Sequence, residues 1–332
     1  MTDREDVTTE RLLAELRAAI EDFDDILTEP DPRARVLALV PAANLMSELG
    51  KSLVTPGLAA SARDRILAYL RRYPATVIAS EELAVVSGIS EYARRIRELR
   101  KEHGWPIYSG ITISELASEE VWEAAEGHAL EPEELQGMAP DDYILLGEQD
   151  RDAAHRWSIA NEIRKRTDLS LRDRLLAYLR ANVGHPVTGE ELRYVANGKQ
   201  SWPRRTRELR TEYGWPLSTR MSGRPDLPLG AYLLEEDRQL PVHDRNIPDS
   251  VRVEVLERDG FACVCCGWSP NRRTEGDPRT LLELHHIEHH VERGPNRAAN
   301  LVTLCNVHHD KLHREDVRGR EAFKRWLSRC QG

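Results

Sequence analysis

Seven of the twelve histidines in this 332-residue chain lie between positions 285 and 313: His285, His286, His289, His290, His308, His309 and His313. Four of its five cysteines, Cys263, Cys265, Cys266 and Cys305, flank or interleave with them. Thiolates and imidazoles are the ligands that hold zinc and its neighbours in the transition series. An imidazole also titrates near neutrality, so it can take a proton from water. The spacing allows two metal sites. Cys263-x-x-Cys266 with Cys305-x-x-His308 has the short-spaced pairs of a structural tetrahedral zinc. His285, His309 and His313 form the other set. His309 and His313 are four apart, so a helix beginning near His308 puts both on one face and turns His308 toward the cysteines. Cys265 could displace Cys263 or Cys266, although C-x-x-C spacing favours the outer two. His289 and His290 read as surface residues rather than ligands, and Cys330 as incidental.

These ligands need a frame. Leu281–Ile287 is apolar and strand-like, Leu301–Leu304 is a second short run, and the loop ERGPNRAAN joins them. With the helix carrying His309 and His313, the layout is ββα. In this order the residues resemble the HNH, or ββα-metal, nucleases in their zinc-knuckle variant, over about Val251–Leu327. The resemblance implies that His286 is the general base and Asn300 the central asparagine, with His309 and His313 the terminal metal-binding histidines. Glu283-x-His285-His286 is also similar to the histidine-rich branch typified by colicin-type DNases. There the first histidine of the pair binds metal and the glutamate supports the site, which gives Glu283 and His285 those roles here. Many relatives carry Asp in place of that histidine, so a transition metal gains ground over Mg²⁺, with Mn²⁺ also open. His308 stands where the usual knuckle has a second cysteine. The family implies hydrolysis of a DNA phosphodiester to a 5′-phosphate and a 3′-hydroxyl. The bland reading is a purely structural zinc finger with its remaining histidines on the surface.

Upstream, the chain repeats itself. ARDRILAYLR at 62–71 matches LRDRLLAYLR at 171–180, and ARRIRELRKEHGWPI at 93–107 matches PRRTRELRTEYGWPL at 203–217. Each copy ends in an apolar strand, at 140–148 and 228–236. Each predicts a first helix (63–71, 172–180), a short second helix entered at Ser80 or Thr188, and an arginine helix capped by Ser90 or Ser201. Gly-Trp-Pro then stops that helix and starts a strand. This order resembles a winged helix-turn-helix, in which the third helix enters the major groove and the wing touches the backbone. By that resemblance, Arg94, Arg95, Arg97 and Arg100 in copy one, and Arg204, Arg205, Arg207 and Arg210 in copy two, would contact double-stranded DNA. The alternative is a solvated helix face, with Ile96 and Leu99 turned to the core and Glu98 and Glu208 pairing with the arginines.

The net charge of −9 does not exclude a DNA substrate, because it is unevenly spread. Positions 111–150 hold twelve acidic residues and no lysine or arginine, and this insertion lies in the wing of copy one. Positions 151–240 carry 17 basic against 12 acidic residues. No apolar run approaches the roughly 20 residues that span a bilayer, and the acidic, polar start is unlike a targeting peptide, so a cytoplasmic protein without membrane contact is expected. The expected architecture is α+β and multidomain. It comprises N-terminal helices (1–60) broken near Pro30 and Pro32, winged-helix units at 61–150 and 151–240, and a ββα-metal nuclease at 241–332. DNA readers joined to a nuclease suggest a restriction enzyme, sequence-specific or modification-dependent. A nicking or homing-type endonuclease, or a DNA-binding regulator with a structural zinc module, is the alternative. One HNH site cuts one strand, so a homodimer is open, and residues 1–60 serve as a dimerisation arm or as packing.

Overall fold

The computed structural model describes residues 3–21, 23–54, 61–117, 135, 137–240, 247–274, 276–288, 296–315 and 317–330. His289, His290 and most of the acidic insertion lie outside the described residues, as does the side chain of Cys330. The fold is mixed α and β, divided by contacts into one unit of residues 1–111 and 129–154 and another of 112–128 and 155–332. Among the described residues no helix is long and apolar enough to cross a membrane.

In the first unit, helices α1 (Asp3–Glu21), α2 (Phe23–Leu27) and α3 (Pro32–Ser52) open the chain. The break expected near Pro30 and Pro32 is there: Pro32 begins α3, and both carboxylate oxygens of Asp31 accept backbone N–H groups of Arg33 and Ala34. α1 and α3 run antiparallel, with Thr9 bonded to Ser52 at 3.1 Å.

The first repeat follows as α4 (Ala62–Arg72), α5 (Ser80–Ser87), α6 (Tyr92–Lys101), strand β1 (Ile107–Ser109), α7 (Gly110–Ala117) and strand β2 (Tyr143–Leu145). Ser61 and Asp64 form a reciprocal capping box on α4. Ser80 is the first residue of α5 rather than its cap, which is Ala79, and Glu91 rather than Ser90 precedes α6. Ile66, Leu70, Leu83, Ile96 and Leu99 meet Ile107, Tyr143 and Leu145 in one core, so Ile96 and Leu99 do turn inward. β1 pairs antiparallel with β2, and Ile78 bridges to Tyr143. Gly104, which ends the arginine helix, has φ +70°, and a Cβ there would lie 1.7 Å from the Asp150 carbonyl oxygen. Glycine is required at that position.

The second unit contains α8 (Ala153–Arg164) from His155 onward, then α9 (Leu171–Ala181), β3 (Val187–Thr188), α10 (Gly189–Val195), α11 (Trp202–Thr211), β4 (Leu217–Thr219) and β5 (Ala231–Leu234). The two copies share their pairing. Val187 faces Tyr232 as Ile78 faces Tyr143, and Leu217 faces Leu234 as Ile107 faces Leu145. The single bridge of copy one widens into a third strand, giving the order β3-β5-β4. The same unit continues through α12 (Asp249–Arg258), strands β6 (Leu282–His286) and β7 (Leu301–Cys305), α13 (Asn306–Arg314) and α14 (Val317–Cys330). β7 is buried throughout. Leu301 packs with Val255, Leu256 and Leu284, while Val302 and Leu304 pack with Trp268 and Leu312.

Candidate active site and metal centres

The ββα layout positions every histidine that the site needs. β6 and β7 pair antiparallel with His285 opposite Val302 and His286 opposite Leu301. Alternation along β6 puts Glu283 and His285 on one face, and α13 lies against the strand pair. α13 starts at Asn306, whose side chain accepts from the Thr280 N–H and donates to the Pro278 carbonyl, tying the helix start to the segment entering β6. One helical turn then brings His309 and His313 together, their Nε2 atoms 3.2 Å apart. The His285 ring stands edge-on to both, at centroid distances of 5.5 and 5.1 Å.

His285, His309 and His313 each offer a ring nitrogen, and these atoms lie within 4.8 Å of one another. Three converging imidazoles, two of them buried, suit a divalent transition metal. Glu283 supports the set from behind, its carboxylate 3.1 Å from His309 Nδ1. Burial pushes the Glu283 carboxyl up, but its hydrogen bond to His309 and the charges of His309 and Arg238 outweigh this and hold it below the usual carboxylate range. A carboxylate on Nδ1 presents Nε2 as the ligand atom, the usual outer-shell arrangement of a metal-bound histidine.

The second cluster is equally well formed. Cys263, Cys266, Cys305 and His308 have ligand atoms within 4.8 Å of one another. His308 Nδ1 is 3.6 Å from the Cys263 sulfur and 3.2 Å from that of Cys305. Metal–sulfur bonds of about 2.3 Å in a tetrahedron put neighbouring ligands roughly 3.8 Å apart, so the four residues fit a zinc ion. Hydrogen bonds from Cys265 and Cys305 hold the Cys263 thiol far below its ordinary range, while Cys265 and Cys305 are pushed up as the donors. The Cys263 N–H bonds to the Trp268 carbonyl and the Gly267 N–H to the Cys263 carbonyl, which closes the knuckle turn.

His286 stands apart from both clusters. It is 2% exposed, and its Nε2 lies 2.7 Å from Asn296 Oδ1. An amide oxygen only accepts, so this contact is a hydrogen bond when Nε2 carries the proton, the tautomer that leaves Nδ1 as the accepting nitrogen. Asn300 works on the backbone. Its Oδ1 accepts from the Glu288 N–H at 2.8 Å and its Nδ2 donates to the Glu288 carbonyl at 3.2 Å, while its own carbonyl accepts from Ile287. It thereby pins the end of β6 to the start of β7. Sequence reasoning missed Asn296, whose only signal was its place in the Pro-Asn turn of the connecting loop. It also missed Arg238, which lies 3.5 Å from Glu283 and 3.8 Å from Asp310 and has no spacing relation to the histidines.

The eight arginines of the duplicated helices do not share one environment. Arg94 and Arg97 in copy one and Arg204 and Arg205 in copy two are exposed, while Arg95 and Arg207 are half-buried. Glu98 pairs with Arg94 and Arg95, and Glu208 with Arg204 and Arg205, at 2.6 to 3.4 Å. Arg100 and Arg210, the last arginine of each run, turn back toward the protein. Arg100 turns back to the Ile107 carbonyl and lies 5.7 Å from the Tyr143 ring centroid. Arg210 is buried and holds Asp249 through two hydrogen bonds of 3.0 and 2.6 Å.

Comparison with protein families gives two matches. The HNH endonuclease family matches residues 263–315, which include the knuckle, Glu283, both histidine pairs, Asn296 and Asn300. The KpnI N-terminal domain family matches residues 63–146 and 172–235, the two copies of the repeat. Comparison with curated proteins and with solved structures finds no match. With an HNH endonuclease domain at its C-terminal end and KpnI-type restriction-enzyme sequence in both repeats, the chain is a DNA endonuclease.

Proposed function

We propose that the chain is a metal-dependent, restriction-type endonuclease that hydrolyses one phosphodiester bond per site in double-stranded DNA. The observation that carries this reading is the convergence of His285, His309 and His313, with the buried His286 next along β6 and its Nε2 against Asn296 Oδ1. His286 Nδ1 takes the proton of the attacking water, and the hydroxide adds to phosphorus as the 3′ oxygen leaves. His285, His309 and His313 would hold a divalent metal, which would supply neutralisation of the charge that builds up on the phosphate. Glu283 orients His309, and Asn300 holds the strand ends that carry His286. Zinc on Cys263, Cys266, Cys305 and His308 serves the fold of the domain.

Within 61–150 and 151–240 the order helix, strand or bridge, two helices and hairpin supports a winged-helix reading for both copies, ahead of a nuclease domain at 241–332. The exposed arginines of α6 and α11 then face DNA. Glu98 and Glu208, largely buried at 18% and 6% exposure, hold these arginines from the protein side and leave part of each guanidinium facing solvent. A homodimer supplies the second cut. α3 leaves Val36, Leu37, Val40 and Met46 exposed, and α1 leaves Leu13 and Ile20, a run of apolar surface that a second copy of these helices would cover.

The test is a cleavage assay on supercoiled plasmid, modified and unmodified, with Mg²⁺, Mn²⁺, Co²⁺, Ni²⁺ or Zn²⁺ added to protein dialysed free of loosely held metal and still carrying its knuckle zinc. Nicked or linear product with 5′-phosphate ends is expected with at least one metal. Folded protein that holds zinc and binds DNA but cuts neither plasmid with any metal would overturn the reading.

A further inference from the structure

Both repeats use the last arginine of the arginine helix in the same way. Arg100 donates to the Ile107 carbonyl, and Arg210, at the equivalent place, reaches the equivalent Leu217 carbonyl at 3.4 Å. In copy two a further bond system is added. Arg210 Nε and Nη2 grip both oxygens of Asp249, and Nη1 donates to Ser222 at 2.9 Å. Both members of the pair are 7% exposed. Asp249 is the first residue of α12, which packs against β7, so the grip joins the arginine helix of the second repeat to the nuclease frame. Arg252, one turn along α12, is disfavoured as a cation by burial and by the Arg210 charge and favoured by Asp249 and by Glu283, the residue behind His309. Arg210, Arg252 and Glu283 line one small cavity of about 20 Å³.

We propose that the Arg210–Asp249 pair clamps the second arginine helix to the nuclease, so that Arg210 is a positioning residue that fixes which phosphate is cut. The proposal rests on the reading of α11 as a DNA reader. A buried bidentate fork tolerates little sliding. The distance from the exposed arginines of α11 to the histidine site is then a fixed length, and the register in which α11 sits on DNA sets the scissile phosphate. Displacement of a reacting group by about 1 Å can cost on the order of 100-fold in rate, so a loosened clamp lowers the rate and spreads the cut.

The experiment uses the full chain and end-labelled fragments of plasmid DNA that the wild type cuts, with cut positions read at nucleotide resolution. Asp249→Asn and Arg210→Met should bind the fragments as the wild type does. They should cut at the native phosphate about 10- to 100-fold more slowly and add cuts at neighbouring phosphates. The swap Arg210→Asp/Asp249→Arg should restore the single position. A folded Asp249→Asn that cuts the native phosphate at the wild-type rate would overturn the proposal, as would a loss of cleavage matched by an equal loss of binding. If Arg210→Met does not fold, Arg210→Lys, which keeps the charge without the fork, is judged by the same outcomes. Hydrogen exchange gives a readout independent of activity: amides of α11 and α12 should lose protection together in Asp249→Asn, and unchanged exchange would also count against the clamp. A wild type that cuts no DNA would sink the endonuclease reading, and exchange would still judge the clamp.

Discussion

His286 is distinguished from the three clustered histidines by its partner, and this separation allows a clean test. His285, His309 and His313 converge on one another, whereas His286 faces Asn296. His286→Ala should therefore lower the cleavage rate by about 10²- to 10⁴-fold, the usual contribution of a general base, and leave zinc content and DNA binding unchanged. Loss of zinc or of the folded domain in that variant would show that His286 has a structural role instead. The cysteines make the opposite prediction. In Cys263→Ser or Cys305→Ser the domain loses a ligand whose binding free energy is folding free energy. At about 4–8 °C per kcal/mol for a domain of this size, its melting temperature should fall by about 10 °C or more. Elemental analysis of the wild type should find one tightly held zinc per chain, and a stable, fully active cysteine variant would rule out the knuckle. The pairs Cys263–Cys266, Cys305–His308 and His309–His313 were legible in the sequence because i+3 and i+4 spacings fix geometry locally, whereas the tertiary fold brings His285 to its pair and the two halves of the knuckle together. Asn296 and Arg238 were not, because a loop turn and a connecting segment reach the site only through the tertiary fold.

At the level of elements, each duplicated arginine helix pairs two of its arginines with its own glutamate, Glu98 or Glu208. The alternation of apolar and charged positions located Ile96 and Leu99 in the core and the arginine face outside it. It did not show that the fourth arginine of each run turns back to a strand carbonyl, because the strand that receives it lies beyond the Gly-Trp-Pro break. Arg205→Ala with Arg207→Ala should weaken DNA binding by about 1–3 kcal/mol for each arginine that hydrogen-bonds a base edge. Arginines that touch phosphate alone would instead weaken all sequences alike and flatten the salt dependence when removed. Copy two should matter more than Arg95→Ala with Arg97→Ala in copy one, which carries the acidic insertion between β1 and β2. The described start of that insertion reaches copy two, where Glu115 accepts from Trp202 Nε1 at 2.6 Å and from Arg193 at 3.0 Å. Equal or larger losses of affinity from the copy-one variants, measured by titration at several salt concentrations, would reverse the ranking.

For the whole molecule, one HNH site per chain must serve a duplex with two strands. The exposed apolar side chains of α1 and α3 had no counterpart in the sequence reading, since their spacing fits a packed helix and a surface one alike. Sedimentation of the wild type should show a dimer, and Val36→Glu with Val40→Glu should return it to a monomer that nicks plasmid but no longer linearises it in a single encounter. A wild type that remains monomeric with and without DNA would assign α3 to packing or to another partner. The proposed function requires metal-dependent hydrolysis at the histidine cluster. The most direct measurement is cleavage of plasmid DNA by wild type, His309→Ala and His286→Ala, each freed of loosely held metal but still carrying its knuckle zinc, with each divalent metal titrated back. The wild type should regain cleavage with a saturable metal dependence. His309→Ala should need far more metal or none should suffice, and His286→Ala should bind metal normally and stay inactive. Cleavage by the wild type that persists without divalent metal, or full activity in His309→Ala, would contradict the account.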